Sequence, residues 1–287
     1  MQSEIRPKTL YIVATPIGNL ADLSPRAQAI LTQVKYIAAE DTRHTGQLLR
    51  SFNIQTPLLA LHDHNERDET EKLLARLHEG ASIALVSDAG TPLISDPGFY
   101  LIRAAHQHGF DVRAIPGPCA AIAALSVAGL PADRFCFEGF LPVKSNARQI
   151  ALEALLHEPR TLIFYEAPHR IQACLTTMCT VFGADREAAL VKELTKTFET
   201  IRHGRLPELL AWLVADPLHC KGEFVILIQG YDAKELNNGS AEQDRILKIL
   251  LNDLPLKQAV QLASKLTGAP KNALYERALS FNRSDEN

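Results

Sequence analysis

The stretch "SDAGTPLISDPG", Ser87 to Gly98, follows the apolar run Ile83 to Val86 and gathers two aspartates, two prolines and two glycines. Asp88 offers a carboxylate to hydroxyls or to a cationic group, and the backbone amides of Gly90 and Thr91 can donate hydrogen bonds. That chemistry suits a small polar ligand carrying positive charge; a plain tight turn is the competing reading. The same composition recurs in "TPIGNLAD" (15–22), "EDTRHTG" (40–46), "HDHNE" (62–66) and "PGPCA" (116–120). Glycine, proline, aspartate, threonine and histidine lower local propensity there, which a ligand needing close backbone approach explains. No G-x-G-x-x-G follows the first apolar run and no G-x-x-x-x-G-K-[ST] occurs, so a dinucleotide or ATP is disfavoured.

Other groups could do chemistry as well. "FYEAPHR" and "KELTKTFET" bring Glu166, His169, Arg170, Glu193 and Lys196 to predicted strand ends. In "HDHN", His62 and His64 would point the same way from an extended segment, as paired metal ligands do. No third ligand accompanies them at sensible spacing, which favours substrate contact or loop hydrogen bonding for His62 and Asn65. "EDTRHT" carries Glu40, Asp41, Arg43 and His44, where a base or phosphate contact and a plain surface loop stand equally open. Lys144 and Arg148, Arg170, Lys196, Arg202 and Arg205 form a local RNA footprint if they share a rim. The formal charge of −3 provides no such attraction over the whole molecule.

The elements that must position these residues alternate regularly. Apolar runs at 9–14, 36–39, 57–61, 83–86 and 111–115 are continuous enough for strands buried on both faces. Between them lie helical patterns: "SPRAQAILTQV" with Ser24 as N-cap and Pro25 at the first position, and "ERDETEKLLARLHEG" with early acids and a stop at Gly80. This predicts an α/β fold whose first domain, residues 1–118, holds a parallel doubly wound sheet, with ligands outside the carboxyl ends of its strands. After "PGPCAAIAALSVAGLP" the strands "RFCFEGF", "RTLIFYEA", "EAALVKEL", "FETIRHG" and "GEFVILIQG" predict a second α/β domain, 119–231, with a mixed sheet and a ligand cleft between the two domains. Phe135, Phe137, Phe140, Phe164 and Tyr165 alternate as core strand residues do. From 232 a polar linker leads into a small helical segment punctuated at Pro255 and Gly268, suited to docking RNA or to completing a dimer.

A chain of 287 residues with 46% hydrophobic and 22% charged residues is ordinary globular material, which excludes disordered and collagen-like classes. The five scattered cysteines lack a CxxC pair, so no disulfide framework or zinc knuckle is expected. "MQSEIRPK" lacks a signal pattern and no apolar run reaches membrane-spanning length, which predicts a cytoplasmic protein.

The blocks "TPIGNLADLS", "AEDTRHTG", "LHDHNE", "VSDAGTPLISDPG", "PGPCAAIAALSVAGLP", "FCFEGFLP", "FYEAPHR", "KELTKTFET" and "GEFVILI", in this order over residues 10 to 280, resemble the signature blocks of the tetrapyrrole methylase family. These are the class III methyltransferases that use S-adenosylmethionine. The resemblance implies a donor pocket built from Pro16, from Asp88, Ala89, Gly90, Thr91 and Pro92, from Cys119 and Ala120, and from Tyr165, within a homodimer. Members acting on tetrapyrroles carry a longer glycine-rich first loop. The short "TPIGNLAD" therefore implies the branch that methylates the 2′-hydroxyl of a decoding-centre cytidine in small-subunit (16S) ribosomal RNA, assembled with proteins. A small-molecule methyltransferase of the same fold and a non-catalytic RNA-binding module are the rivals.

Methyl transfer from a sulfonium is an in-line displacement, and positioning can supply about 7 to 11 kcal/mol of its barrier. A general base adds about 10² to 10⁴ in rate. On the family reading the catalytic candidates are Lys196, Glu166 and Glu193. Lys196 serves as base only if burial or cationic neighbours lower its pKa, and a structural Glu193–Lys196 ion pair is the alternative. His62, Asn65, Lys144, Arg148, His169 and Arg170 would contact substrate, with Arg170 gripping phosphate. No metal is expected.

Overall fold

The computed structural model describes residues 5–232 and 240–284. Strands β1 (Thr9–Val13), β2 (Tyr36–Ala39), β3 (Leu58–Ala60), β4 (Ile83–Val86) and β5 (Asp111–Ile115) form an all-parallel sheet in the order β3-β2-β4-β1-β5. Helices α1 (Pro25–Gln33), α2 (Thr42–Ser51), α3 (Glu66–His78) and α4 (Phe99–Gln107) make the crossovers. Alternate residues of the central strands enter different apolar layers: Tyr11, Val13, Ala84 and Val86 pack in one, and Leu10, Ile83 and Leu85 in the other. A strand with both faces covered reads as a continuous apolar run, which is why these strands were legible. Helix α1 starts as its residues dictate, with Ser24 Oγ accepting from the Ala27 amide at 3.1 Å and Pro25 in the first turn.

The second sheet comprises β6 (Phe135–Phe140), β7 (Thr161–Glu166), β8 (Glu187–Lys192), β9 (Thr200–Arg205) and β10 (Phe224–Ile228), in the order β6-β7-β10-β8-β9. Only β6 and β7 run parallel, so the sheet is mixed as expected. Helix α5 (Ala120–Val127) covers one face, receiving Ile163 and Tyr165. Helices α6 (Ser145–Ala154), α7 (Ile171–Phe182) and α8 (Leu206–Ala215) cover the other, receiving Leu162 and Phe164. The β7 pleat thus decides which side chains face α5 and which face the helical layer. Of the aromatic residues expected in the core, Phe164 is fully buried, but Phe135 and Phe140 are exposed. They sit on β6, an edge strand whose pairing slips between Phe137 and Gly139.

Residues through Gln229 form one compact unit that includes both sheets, and a second unit begins at Gly230. In the latter, α9 (Ser240–Asp253), α10 (Leu256–Thr267) and α11 (Lys271–Ser284) close around Leu247, Val260, Ala263, Leu274 and Ala278. Gly268, at φ +70°, ends α10, matching the expected punctuation. Of the polar segment expected as linker, residues 233–239 lie outside the described residues, while Ser240 to Asp244 already belong to α9. No helix among the described residues is long and apolar enough to cross a membrane.

Candidate functional site

Outside the carboxyl ends of β1, β2 and β4, a cavity of about 430 Å³ opens against the α5 face of the second sheet. Ile17 after β1, Glu40 after β2, and Asp88, Ala89, Gly90, Thr91 and Asp96 after β4 line one side; Cys119, Ala120, Phe140, Tyr165, Leu194 and Glu223 belong to the other. Of the residues expected to hold a ligand, Asp88, Ala89, Gly90, Thr91, Cys119, Ala120 and Tyr165 are therefore brought together. Pro16 and Pro92 are buried behind the wall, and Ile17 takes the place expected of Pro16.

Backbone pairing holds the wall in shape. Thr15 and Gly90 exchange two hydrogen bonds, of 2.8 and 3.1 Å, so the Gly90 amide is consumed by the Thr15 carbonyl rather than available to a ligand as expected. The Thr91 hydroxyl donates to the Pro118 carbonyl at 2.9 Å, and Asp88 Oδ1 accepts from the Asp41 amide at 3.0 Å, tying the β2 and β4 loops together. Leu93 and Ser95 adopt φ of 74° and 73° in the same loop. Such left-handed residues cost about 1–3 kcal/mol each and persist where surrounding structure enforces them. Glu66 supplies part of that enforcement: its buried carboxylate accepts from the Gly98 and Tyr100 amides at 3.0 and 2.8 Å, fixing the start of α4.

The electrostatics of the wall are acidic. Burial, reinforced by Asp96, Asp88, Asp63 and Asp41, raises the Glu40 carboxyl to about 7. Burial also raises Asp96, to about 6, against the opposing hydrogen bond from Ser87 and with Asp88 and Asp63 adding to the rise. Across the cavity, burial pushes the Tyr165 phenol well above its ordinary value, and its oxygen accepts from the Ala121 amide at 3.0 Å. The ring is held edge-on by Phe137 and Phe140, at centroid distances of 4.9 and 5.7 Å.

The expected catalytic groups are placed differently from their anticipated roles. Burial alone would lower the Lys196 ammonium, but hydrogen bonds to Glu223 and Glu193 overcome it and hold the pKa above the ordinary lysine value. Its Nζ lies 3.0 Å from Glu193 Oε1 and 2.9 Å from Glu223 Oε2. The lowered pKa that a lysine base requires is thus replaced by the opposite shift, and the ion-pair alternative describes Glu193 and Lys196. Glu166 borders the cavity, yet its side chain is fully buried and Arg170 grips it, with Nε 3.0 Å from Oε1 and Nη2 3.2 Å from Oε2. The Ala167 amide donates to the same carboxylate at 2.8 Å.

Among the expected substrate contacts, two arginines point inward. Arg170 spends its guanidinium on Glu166 and on the Leu141 carbonyl at 2.5 Å, and buried Arg148 donates from Nε to Thr177 Oγ1 at 3.1 Å. Neither presents a free head to phosphate, which corrects the expected rim. Lys144 is exposed at the N-cap of α6, and His169 is exposed next to Pro168 of the cavity lining. Asn65 folds its own loop, accepting from the His62 amide at 2.8 Å and donating to the Ala60 carbonyl at 3.2 Å. The His62 and His64 rings lie 6.0 Å apart, and among the described residues no three His, Cys, Asp or Glu side chains gather as a metal site.

Residues 9–210 match the family model described as Tetrapyrrole (Corrin/Porphyrin) Methylases, and residues 237–281 match the one described as RsmI C-terminal HTH domain. The chain is 55% identical over 272 residues to the ribosomal RNA small subunit methyltransferase I of Pseudomonas aeruginosa, covering 94% of this chain and 96% of that protein. It is 57% identical over 272 residues to the protein of that name from Xylella fastidiosa, covering 94% and 98%. Among solved structures, diphthine synthase aligns with a TM-score of 0.59 at 15% identity, covering 77% of this chain and 90% of that one. A uroporphyrin-III-C-methyltransferase from Thermus thermophilus aligns at 0.55 with 20% identity, covering 77% and 94%. The chain belongs to the tetrapyrrole methylase family of S-adenosylmethionine-dependent methyltransferases.

The residues around the cavity fit that donor. Its volume falls within the roughly 300–1,000 Å³ typical of small-molecule sites. The carboxylates of Glu40, Asp88 and Asp96 suit a cationic ligand, while Ile17, Leu194 and Tyr165 supply the apolar and aromatic surface a nucleoside requires. At Gly90, with φ +88°, a Cβ would come within 3.3 Å of Ile17 Cγ2 and narrow the cradle. Bound S-adenosylmethionine supplies an electrophilic methyl group on a positively charged sulfur.

Proposed function

We propose that this protein methylates the 2′-hydroxyl of a decoding-centre cytidine in small-subunit (16S) ribosomal RNA, acting in the cytoplasm as a homodimer on the assembled subunit. The observation that carries the reading is identity above half, over 94% of this chain, with relatives named ribosomal RNA small subunit methyltransferase I. The match of residues 237–281 to a C-terminal domain model of the same name supports it.

On this reading Asp88, Ala89, Gly90, Thr91, Cys119, Ala120 and Tyr165 hold the donor directly, and Pro16 and Pro92 shape their loops from behind. Lys196, kept cationic by Glu193 and Glu223, positions the acceptor ribose at the cavity edge. Glu166 with Arg170 stiffens the "YEAP" turn that closes one side. Lys144, His169 and His62 contact the RNA, and Asn65 presents His62. Orientation of two reactants can contribute about 7–11 kcal/mol, so a rigid rim accounts for most of the acceleration required.

The test is incubation of the protein with methyl-labelled S-adenosylmethionine and either small ribosomal subunits or isolated porphyrinoids. Label should enter the ribose of one cytidine in the subunit RNA and not the porphyrinoid. Label in the porphyrinoid alone, or in a base rather than a ribose, would overturn the proposal.

A further inference from the structure

One carboxylate on the cavity wall stands out for having no partner of its own. Glu40 directly follows β2, half-buried, and among the described residues its carboxylate makes no hydrogen bond and no ion pair. Several nearby carboxylates are engaged: Asp88 by the Asp41 amide, Glu166 by Arg170 and Glu223 by Lys196. The charges acting on Glu40 are negative from every side. Asp88 and Asp96 approach from the loop after β4, and Asp63 from the loop after β3, which also bears His62 and His64. Asp41 lies on Glu40's own loop, paired with a largely exposed Arg43 at 2.9 Å.

An unpaired carboxylate among like charges on the wall of a cavity is poised for a cation. We propose that Glu40 reads the positive charge of the methyl donor, so that the cavity holds the sulfonium and lets go of the neutral thioether left after transfer. The inference rests on the donor-site reading of the cavity. Burial and four acidic neighbours raise the Glu40 carboxyl to about 7 in the protein without ligand. A cation set beside it favours the ionised form and lowers that value. Donor binding must then expel the proton Glu40 carries below neutrality, whereas binding of the uncharged thioether need not.

The sign follows by linkage. Well above pH 7 Glu40 is ionised and donor affinity is flat; as pH falls through about 7 affinity begins to drop, by up to about tenfold per unit at lower pH. S-adenosylmethionine and S-adenosylhomocysteine differ only at the sulfur, so the ratio of their affinities cancels the titration of every group they share.

Isothermal titration of both ligands between pH 5.5 and 8, in two buffers of different ionisation heat, tests the proposal. The preference for the charged ligand should drop about twentyfold from pH 7.5 to 5.5. Near pH 7 roughly half a proton should leave with the donor and none with the thioether. Glu40→Gln, which has no bond to lose, should flatten the donor profile and abolish the preference at pH 7.5, while Asp96→Asn should keep most of the proton release. Parallel pH profiles for the two ligands, or a Glu40→Gln protein that retains the wild-type preference, overturn the inference while leaving the donor site standing. Failure of either ligand to bind at any pH removes the donor site and the inference together. Proton release is read on the wild-type protein and does not depend on any variant folding.

Discussion

Gly18 lies directly against Lys196: a Cβ at Gly18 would come within 2.5 Å of Lys196 Cγ and 3.0 Å of Thr195 Oγ1. The first loop of the parallel sheet and the turn between β8 and β9 therefore meet where even a methyl group has no room. That turn is itself fixed, with Glu193 and Thr195 at φ of 52° and 65° and the Thr195 amide donating to Glu199 Oε2 at 2.6 Å. An added methyl must therefore displace the Lys196 side chain, which Glu193 and Glu223 hold, or push the two loops apart. Gly18→Ala is expected to lower kcat for subunit methylation about a hundredfold, the loss associated with a misplacement of about 1 Å. Gly18 is exposed, so thermal unfolding should hardly change. Wild-type turnover in this variant would show that the contact does not set the geometry of the site.

Glu166 and Arg170 behave as a structural pair. Removing one partner of a buried pair costs about 3–5 kcal/mol, because the other is left buried and charged. Arg170→Ala should therefore shift the urea midpoint strongly, whereas replacing both residues by leucine should restore much of the loss. Were Arg170 a phosphate grip, Arg170→Ala would instead leave stability unchanged and weaken RNA binding.

The parts of the molecule that could be read in advance are those set by short-range rules. Continuous apolar runs marked β1, β2 and β4 because both faces of the central strands are covered, whereas β5 is an edge strand with Asp111 and Ala114 exposed, not the doubly buried strand expected at 111–115; Ser24–Pro25 marked the start of α1. The loops that line the cavity were legible because Asp, Gly and Pro cluster where strands end. What escaped depends on distant partners. Whether Arg170 faces phosphate or Glu166 is decided by the Leu141 carbonyl, 29 residues away in sequence, and whether Lys196 is a base or a paired cation by Glu223 across the sheet. Glu40 stood among several candidates in "EDTRHT"; only the parallel register that sets Ala39 beside Val86 brings its loop next to that of Asp88.

Lys144, at the N-cap of α6, and Arg148, one turn into it, make a direct comparison. Lys144 is exposed, while Arg148 is buried and bonded to Thr177 on α7. Lys144→Ala should weaken binding to small subunits and reduce the slope of log affinity against log salt by about 1, with unfolding unaffected. Arg148→Ala should leave that slope alone and lower stability by about 1–3 kcal/mol through a buried group left unpaired. Equal salt slopes for Lys144→Ala and the wild type would take Lys144 out of the interface.

The acidic wall should also be visible in the stability of the protein without ligand. Glu40 and Asp96 have pKa values near 7 and 6, above the ordinary 4.5 and 3.8, so the folded state binds protons more tightly than the unfolded chain. Their stabilising contribution is complete below about pH 4 and is lost as pH rises through 6 and 7. Between pH 5 and pH 8 the unliganded protein should thus lose stability through these two groups. Glu40→Gln removes the ionisation penalty and should stabilise the folded protein at pH 8 by about 1–2 kcal/mol, read as a higher melting temperature, once the solvent-facing side of the carboxylate is allowed for. At pH 5, where Glu40 is protonated in the folded state, the advantage should shrink toward zero. A stability gain confined to alkaline pH, together with loss of donor preference, is the trade-off expected of a charge retained for ligand recognition rather than for folding. Differential scanning calorimetry of the wild type and Glu40→Gln at both pH values decides the matter: a variant less stable than the wild type at pH 8 would mean that Glu40 has a stabilising partner and is not the free carboxylate of the cavity.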